Sequence, residues 1–504
     1  MCYGCTSDAA CAGDQKCDTG ASLCVPVCPS ACAGDLICTV SGAHKAVCSC
    51  ESDANCPDGY VCDTETKQCV AADCESWLTA NGYGAAKDME TLTAALESDV
   101  TEVGLLESFT ITEDIALQGK KLYQANKYSG SAECKALPKV TLSTTKSVDL
   151  ENGGIYNTDI IVTPVQGGSV FSGDGTLQDV NMSLAKTDKN YTLFDFNWFN
   201  LDGNTLNIEG SSSIKIYSAA NSHYYSAIYM KNKSILNISG TFKILGSNSL
   251  HILVDSSDFN VKKGASFIYK AKTHTHIFDA SNRSTLTFDG QINAETDIST
   301  LSHPFTEMNH TCCGVFNIQN SSLALNANGN KLTGVYIFQT GSPDPATSSN
   351  MEINGSTAIS VFNPSFSGYW MNRSSVFTNN YIRSKNNILI TAPVTVNVMP
   401  VPRQTSPQYQ EAAIIDLNTE SSLSINSTVE ATAGYAALGL TTLGSKAYIN
   451  GIEKISYSKG LSYKTGAKIK VNGSCRQATS DGTYGGNDVK DSVTPPSFMS
   501  GICN

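Results

Sequence analysis

Ser234-ILNISGTFKILGSNSLHILV, ending at Val254, decides the fold. Leu236 and Ile238, then Phe242 and Ile244, then Leu250, Ile252 and Val254 are apolar at every second position, which is the period of a strand with one buried face. Gly240 and the Gly246-Ser-Asn248 step interrupt the alternation, and no helical period runs through it. The reading is a set of short strands joined by tight corners.

The texture extends both ways, through Thr205-LNIEGSSSIKIYS, Ser284-TLTFDGQINA, Ser322-LALNANGNKLTGVYIF, Ser422-LSINSTVEATAG and Ala447-YINGIEKISYSKGLSYKTGAKIKVNG. Strands recur roughly every 8 to 12 residues, which leaves a sandwich, a barrel or a solenoid. A motif S-x-L-x-(I/F)-x-G returns irregularly. Residues 101–473 are long for one sandwich, whereas a parallel β-helix absorbs length by stacking coil on coil. The fold expected is therefore all-β, a right-handed parallel β-helix preceded by small disulfide-rich modules, with tandem sandwiches as the alternative. Asn suits the inside of such coils, where stacked amides hydrogen-bond along the axis.

Fourteen of the nineteen cysteines fall in residues 1–74, so this part is built differently. The units run Cys5, Cys11, Cys17, Cys24; then Cys28, Cys32, Cys38, Cys48; then Cys50, Cys56, Cys62, Cys69, followed by Cys74. Segments of about 23 residues bury too little apolar surface to fold unaided, and four cysteines per unit without ligand-spaced His point to disulfides rather than zinc. Pairing within a unit has three possible connectivities. The pattern S-D-A-x-C-x5-C-D-T-x4-C-V, shared by the first and third units, is similar to EGF-like and Dickkopf-type extracellular repeats.

Residues 75–100 read as a linker and capping segment, with Met89, Leu92 and Leu96 spaced for a short amphipathic helix. The run L-x-x-A-L-x-x-x-V-x-x-V-x-L at Leu92–Leu105, followed by Thr110-ITEDIALQGKKL, resembles the N-terminal cap and first coils of the pectate-lyase-like β-helix superfamily, which includes surface adhesins and autotransporter passengers. Residues 474–504 lose the alternation and read as a C-terminal tail. Cys475 with Cys503 and Cys74 with Cys134 are the expected bridges at the two ends. Cys312-Cys313 stands outside this partition, and an odd cysteine total leaves at least one thiol without a partner in the chain.

Disulfides imply an oxidising compartment, extracellular or at a cell surface. No basic and apolar leader precedes Cys2, so the expectation is a trimmed leader and an artefactual Met1. Net charge is −12, with arginine only at positions 283, 373, 383, 403 and 476. A nucleic-acid partner needs a clustered basic surface, which is missing. No apolar run is long enough to span a membrane. Eleven N-x-S/T sequons, at Asn181, Asn190, Asn232, Asn237, Asn282, Asn309, Asn320, Asn354, Asn372, Asn426 and Asn472, mark candidate glycosylation sites.

The resemblance makes catalysis on polysaccharides a reading to test. Asn157-Thr-Asp159 matches the first motif of polygalacturonase-like hydrolases, and Gly173-Asp174-Gly175 offers a second carboxylate. The remaining motifs of that family do not follow, and the arginines do not sit with an Asp cluster as a calcium-dependent lyase requires. Asp159 and Asp174 are the only catalytic candidates, and no cofactor is expected. His274-Thr-His276 would place two imidazoles on one strand face, near His303 and His310, as a candidate metal pair. The aromatic clusters Phe194-DFNWFN, His223-YYSAIY and Tyr369-Trp370 supply the ligand-contact candidates Trp198, Tyr224, Tyr225 and Trp370, because such rings stack on sugars; Phe194, Phe196 and Trp198 also fit a stack in the coil core. The function expected is non-catalytic adhesion or binding to a polysaccharide or a cell-surface glycan or protein. A pectin-lyase-like enzyme and a subunit of an extracellular filament are the alternatives.

Overall fold

The alternation in 234–254 becomes one coil. Leu236 and Ile238 lie on the strand Ile235–Ile238, Phe242 and Ile244 on the first half of Thr241–Asp255, and Leu250, Ile252 and Val254 on its second half, all with side chains buried. The next three strands, Asp258–Val261, Ser266–Lys272 and His276–Ser281, pair in parallel with these three in turn. Each circuit thus lays down three strands and returns one strand spacing further along, so the protein is a right-handed parallel β-helix.

The structure is a computed structural model. It describes residues 73–397 except 129–131, 166, 186–194, 217–224, 273–275, 297–313, 335, 341–346, 364–373, 380–384 and the side chains of several strand residues beside these gaps; outside 73–397 it describes strand backbone alone. Two units separate, and each is taken by itself: Met1–Thr110 with Lys120–Leu142 and Tyr156–Thr158, and Ile111–Gly119 with Ser143–Ile155 and Asp159–Asn504.

In the second unit, the first sheet includes Gly175–Gln178, Thr205–Glu209, Ile235–Ile238, Asp258–Val261, Thr285–Phe288, Ser322–Leu325, Ser348–Ile353 and Lys385–Ile390. Its register stacks Leu206, Leu236, Phe259, Leu286, Leu323, Met351 and Ile388 into one buried column. The second sheet carries Ser211–Ile216 on to Thr241–Asp255, Ser266–Lys272, Gln291–Thr296, Asn330–Gly334 and Thr357–Asn363. On the third, Phe278, Phe316 and Phe338 stack with ring centroids 5.2 and 5.6 Å apart. Such stacking follows from parallel in-register pairing, which sets each residue above its counterpart one coil away.

The corner from the third sheet to the first explains the recurring motif. Ser234, Ser257, Ser284 and Ser321 are buried there, and each of the first three gives its backbone N–H to the hydroxyl of the next, over 3.1, 3.2 and 3.1 Å. Ser349 extends the ladder by accepting from the Asn320 N–H at 3.0 Å. The Ser234 and Ser284 N–H groups also reach the carbonyls of Lys231 and Ser281 at 3.2 Å, whereas the Ser257 N–H depends on the next hydroxyl, and an interior amide without an acceptor costs about 1–3 kcal/mol. The residue before the serine turns left-handed, at Lys233, Ser256, Arg283 and Asn320, with φ of 67°, 52°, 68° and 47°. The two apolar letters of the motif fill the core columns. The final glycine marks close approach of coils: a side-chain carbon at Gly240 would collide with the backbone of Gly210, and one at Gly355 with that of Ala327.

Amide stacks are present, but not where the sequence placed them. Asn260 donates to Asn237 at 3.2 Å and Asn237 to Asn207 at 3.1 Å along the outer surface of the first sheet, because the inward positions beside them hold Leu and Ile, or Phe259 and Val261. A second stack at the corner between first and second sheets runs from Asn354 to Asn326 to Asp289, at 3.0 and 2.8 Å.

In the first unit, α1 (Cys74–Ala80) was not anticipated from the helical period; its N-cap Asp73 accepts from the Ser76 N–H at 2.9 Å. The second helix, α2 (Met89–Glu97), buries Leu92, Ala95 and Leu96 and opens with a capping box between Asp88 and Thr91. Gly84–Ala86, Glu102–Leu105 and Lys121–Gln124 pair in parallel. Cys74 and Cys134 form the expected bridge, Cα–Cα 4.8 Å, among Trp77, Leu78 and Tyr128.

In residues 1–72, three antiparallel hairpins set Cys17 opposite Cys24, Cys38 opposite Cys48 and Cys62 opposite Cys69. The side chains of these six, the positions of Cys5, Cys11, Cys28, Cys32, Cys50 and Cys56, and any bridge between Cys475 and Cys503 lie outside the described residues.

Two stability measurements follow. Ser284→Ala strands the Ser257 N–H and is expected to lower unfolding free energy by about 1–3 kcal/mol in urea titrations. Cys134→Ala, by opening the 60-residue separation, is expected to cost about 2–5 kcal/mol, read as a loss of the near-ultraviolet signal of the packed Trp77 and tyrosines at lower denaturant.

Candidate functional site

Asp159 and Asp174 are held in different places by the stacking itself. Asp159 starts the second-sheet strand Asp159–Val162 and accepts from the Asn181 amide one coil on, at 3.0 Å. Asp174 sits at the corner from third to first sheet and accepts from the Thr205 N–H at 2.5 Å. Each carboxylate ties neighbouring coils. Asn157, at φ 52°, is a left-handed turn residue.

Trp198 lies at a bulge where the pairing of Asp195–Asp202 with Tyr225–Lys231 skips a residue. Its ring is fully enclosed, edge-on to Phe196 at 5.5 Å, so it presents no face on which a sugar could stack. An extra residue on one strand of a pair cannot keep the outward alternation. Trp198 Nε1 has no hydrogen-bond partner among the described residues. Tyr225 begins a third-sheet strand, its side chain undescribed; Tyr224, Trp370, His274, His303, His310, Cys312 and Cys313 lie outside the described residues.

In sequence, several of these candidates fall between described strands. Joins from the first to the second sheet are short, at 210, 239–240, 262–265, 289–290 and 326–329. Joins from the second to the third vary widely. Thr241–Asp255 passes between the sheets as one strand, whereas other coils use 185–194, 217–224, 297–313, 364–373 and 401–411. Tyr224 and Trp370, and the His303–Cys313 stretch, all fall in sequence between a second-sheet strand and the next third-sheet strand.

A polar cluster is buried on the third sheet. His276 is 1% exposed, and Gln339, Asn317 and His251 are 5–9% exposed. His251 Nδ1 lies 3.2 Å from the His276 carbonyl, His276 Nδ1 lies 3.6 Å from Asp279 Oδ1, and the Asn317 amide donates to the same oxygen at 2.8 Å. The Gln339 side chain faces the His276 ring, close enough for a hydrogen bond that favours the protonated imidazole. Burial holds both imidazoles below the usual histidine range, opposed by the Asp279 charge. Gly314 is required here, since any side chain would collide with the His276 ring. Sequence reasoning singled out His276 from its spacing to His274, but the described strand starts at His276, and His251, Asp279, Asn317 and Gln339 carried no local signal.

Among the described residues no three His, Cys, Asp or Glu side chains form a metal-ligating group, and no helix is long and apolar enough to cross a membrane. Searches with family models and against curated proteins and solved structures found no match to this chain.

Because the two imidazoles bind protons more weakly folded than unfolded, their contribution to stability is complete above about pH 6.5 and is lost as pH falls below it. Between pH 7 and 5 the wild type is expected to lose stability by up to about 1.4 kcal/mol per pH unit per histidine. In a His251→Gln/His276→Gln protein that slope should flatten, as measured by urea unfolding across this range.

Proposed function

We propose that this protein is a secreted or cell-surface β-helix that binds a polysaccharide or a cell-surface glycan without transforming it. The carrying observation is that the length variation falls in the joins that run, in sequence, from a second-sheet strand to the next third-sheet strand. Insertions in repeat architectures gather on one side, often the binding side, and Tyr224 and Trp370 belong to joins of this kind many residues apart in sequence. Aromatic rings repeated along a rigid shaft suit an extended polymer, since each ring contributes a separate stacking contact. The cysteine-rich modules fit an oxidising location. Asp159 and Asp174, engaged in coil-to-coil hydrogen bonds on separate parts of the circuit, favour binding over hydrolysis by a carboxylate pair, which must flank one scissile bond. The likeness of 92–122 to pectate-lyase-like caps supports a surface-protein reading of adhesin type.

The full chain on a glycan array and on uronic-acid polymers tests this. Retained binding is expected, with no release of reducing or unsaturated ends, and with affinity about 2–10-fold weaker in each of Tyr224→Ala and Trp370→Ala. Turnover, or binding indifferent to both substitutions, would overturn it.

A further inference from the structure

We infer that Asn232 and Asn282 carry N-linked glycans, an assignment that rests on the secreted reading above. The sequons with described side chains are those of Asn181, Asn232, Asn237, Asn282, Asn320 and Asn354, and their hydrogen bonds separate them. In the transfer, C1 of the first sugar leaves a lipid-linked diphosphate and bonds to the asparagine Nδ2, which gives up one proton as the diphosphate departs. A glycosylated asparagine therefore keeps one amide hydrogen to donate. Asn232 and Asn282 use only one, toward Asp202 at 2.6 Å and Asp255 at 2.7 Å. Both are exposed, and both stand in a left-handed turn at φ 56°. Asn354 donates twice, to Asn326 and to Glu352, and a sugar on its nitrogen would break one of those bonds. Asn181 and Asn237 are half-buried and engaged through both amide atoms, the first between Asp159 and Ser213 and the second between Asn207 and Asn260. Asn320 is half-buried as well.

The serine ladder does not by itself call for asparagine at these places. The corners at Ser257 and Ser321 close with Asp255 and Gln319 two residues earlier. The hydroxyls of Ser234 and Ser284, the third residues of the two sequons, are buried and donate to the carbonyls of Lys231 and Val254 at 2.6 and 2.8 Å. A sequon is recognised through that hydroxyl, so the sugar must be attached before the corner closes, while the chain is still being made. The two sites lie two coils apart on the third-to-first corner, and the glycans line that corner rather than the strand ends that the long joins connect.

The test expresses the full chain behind a secretory leader in a eukaryotic host that N-glycosylates. Released protein is treated with peptide-N-glycosidase in heavy-oxygen water, which converts each glycosylated asparagine to labelled aspartate, and occupancy is read site by site by mass spectrometry. Occupancy at Asn232 and Asn282 is expected to exceed that at Asn237 and Asn354 by about fivefold or more, and Asn232→Gln and Asn282→Gln should each remove the mass of one glycan. Released protein that is bare at Asn232 and Asn282, or equally occupied at Asn237 and Asn354, would overturn the inference and leave the secreted reading standing. A chain that the host fails to release with the Cys74–Cys134 bridge formed would overturn the secreted reading and the inference together.

Discussion

A chain that stacks on itself at about 4.8 Å per coil must bury a backbone amide wherever the third sheet turns into the first, and that amide needs an acceptor. The serine hydroxyls at 234, 257, 284 and 321 supply it from one coil to the next. The left-handed residue before each serine follows from the sharpness of that corner. So do the in-register columns of Leu, Ile and Phe, because a corner fixed to the residue fixes which side chains point inward. Two recurring sequons, Asn232-Lys-Ser234 and Asn282-Arg-Ser284, are corner elements in the same sense: the serine is buried, and the asparagine amide donates to Asp202 or Asp255 one coil away.

The same constraint separates structural from functional sequence. Where serine holds the corner, the joins at 203–204, 232–234, 256–257, 282–284 and 319–321 are all two or three residues long. Between the second and third sheets the joins range in length from an unbroken strand to the stretch 297–313. Variation is tolerated only where it leaves the stack undisturbed, so recognition chemistry accumulates there. The buried cluster around His276 lies at the start of the third-sheet strands, close to that boundary.

Much of this was legible beforehand because it is local. The alternation in 234–254, the serine and glycine of the motif, and the Met89–Leu96 helical spacing each report a backbone geometry set by a few neighbouring residues. Trp198 was not legible in the same way: its alternation with Phe196 fits either an exposed or an interior ring, and only the bulge decides for the interior. The asparagine stacks were placed inside because periodicity shows which residues share a face but not which face is the core. The association of His251, Asp279, Asn317 and Gln339 with His276 depends on coil lengths that differ from turn to turn, so no fixed spacing announces it. Cys74 with Cys134 was readable as a pairing near one end, whereas Asp73 and α1, which bring Cys74 into place, have too short a period to stand out.

The central claim is that distant joins return to one edge of the coil stack, and a pulsed electron-spin distance measurement tests it most directly. Spin labels carried on unnatural amino acids at Ser222 and Ser367 sit in joins entering third-sheet strands five coils apart. The account predicts a distribution centred near about 24 Å, five strand spacings along one edge. A distribution centred beyond about 40 Å would contradict it.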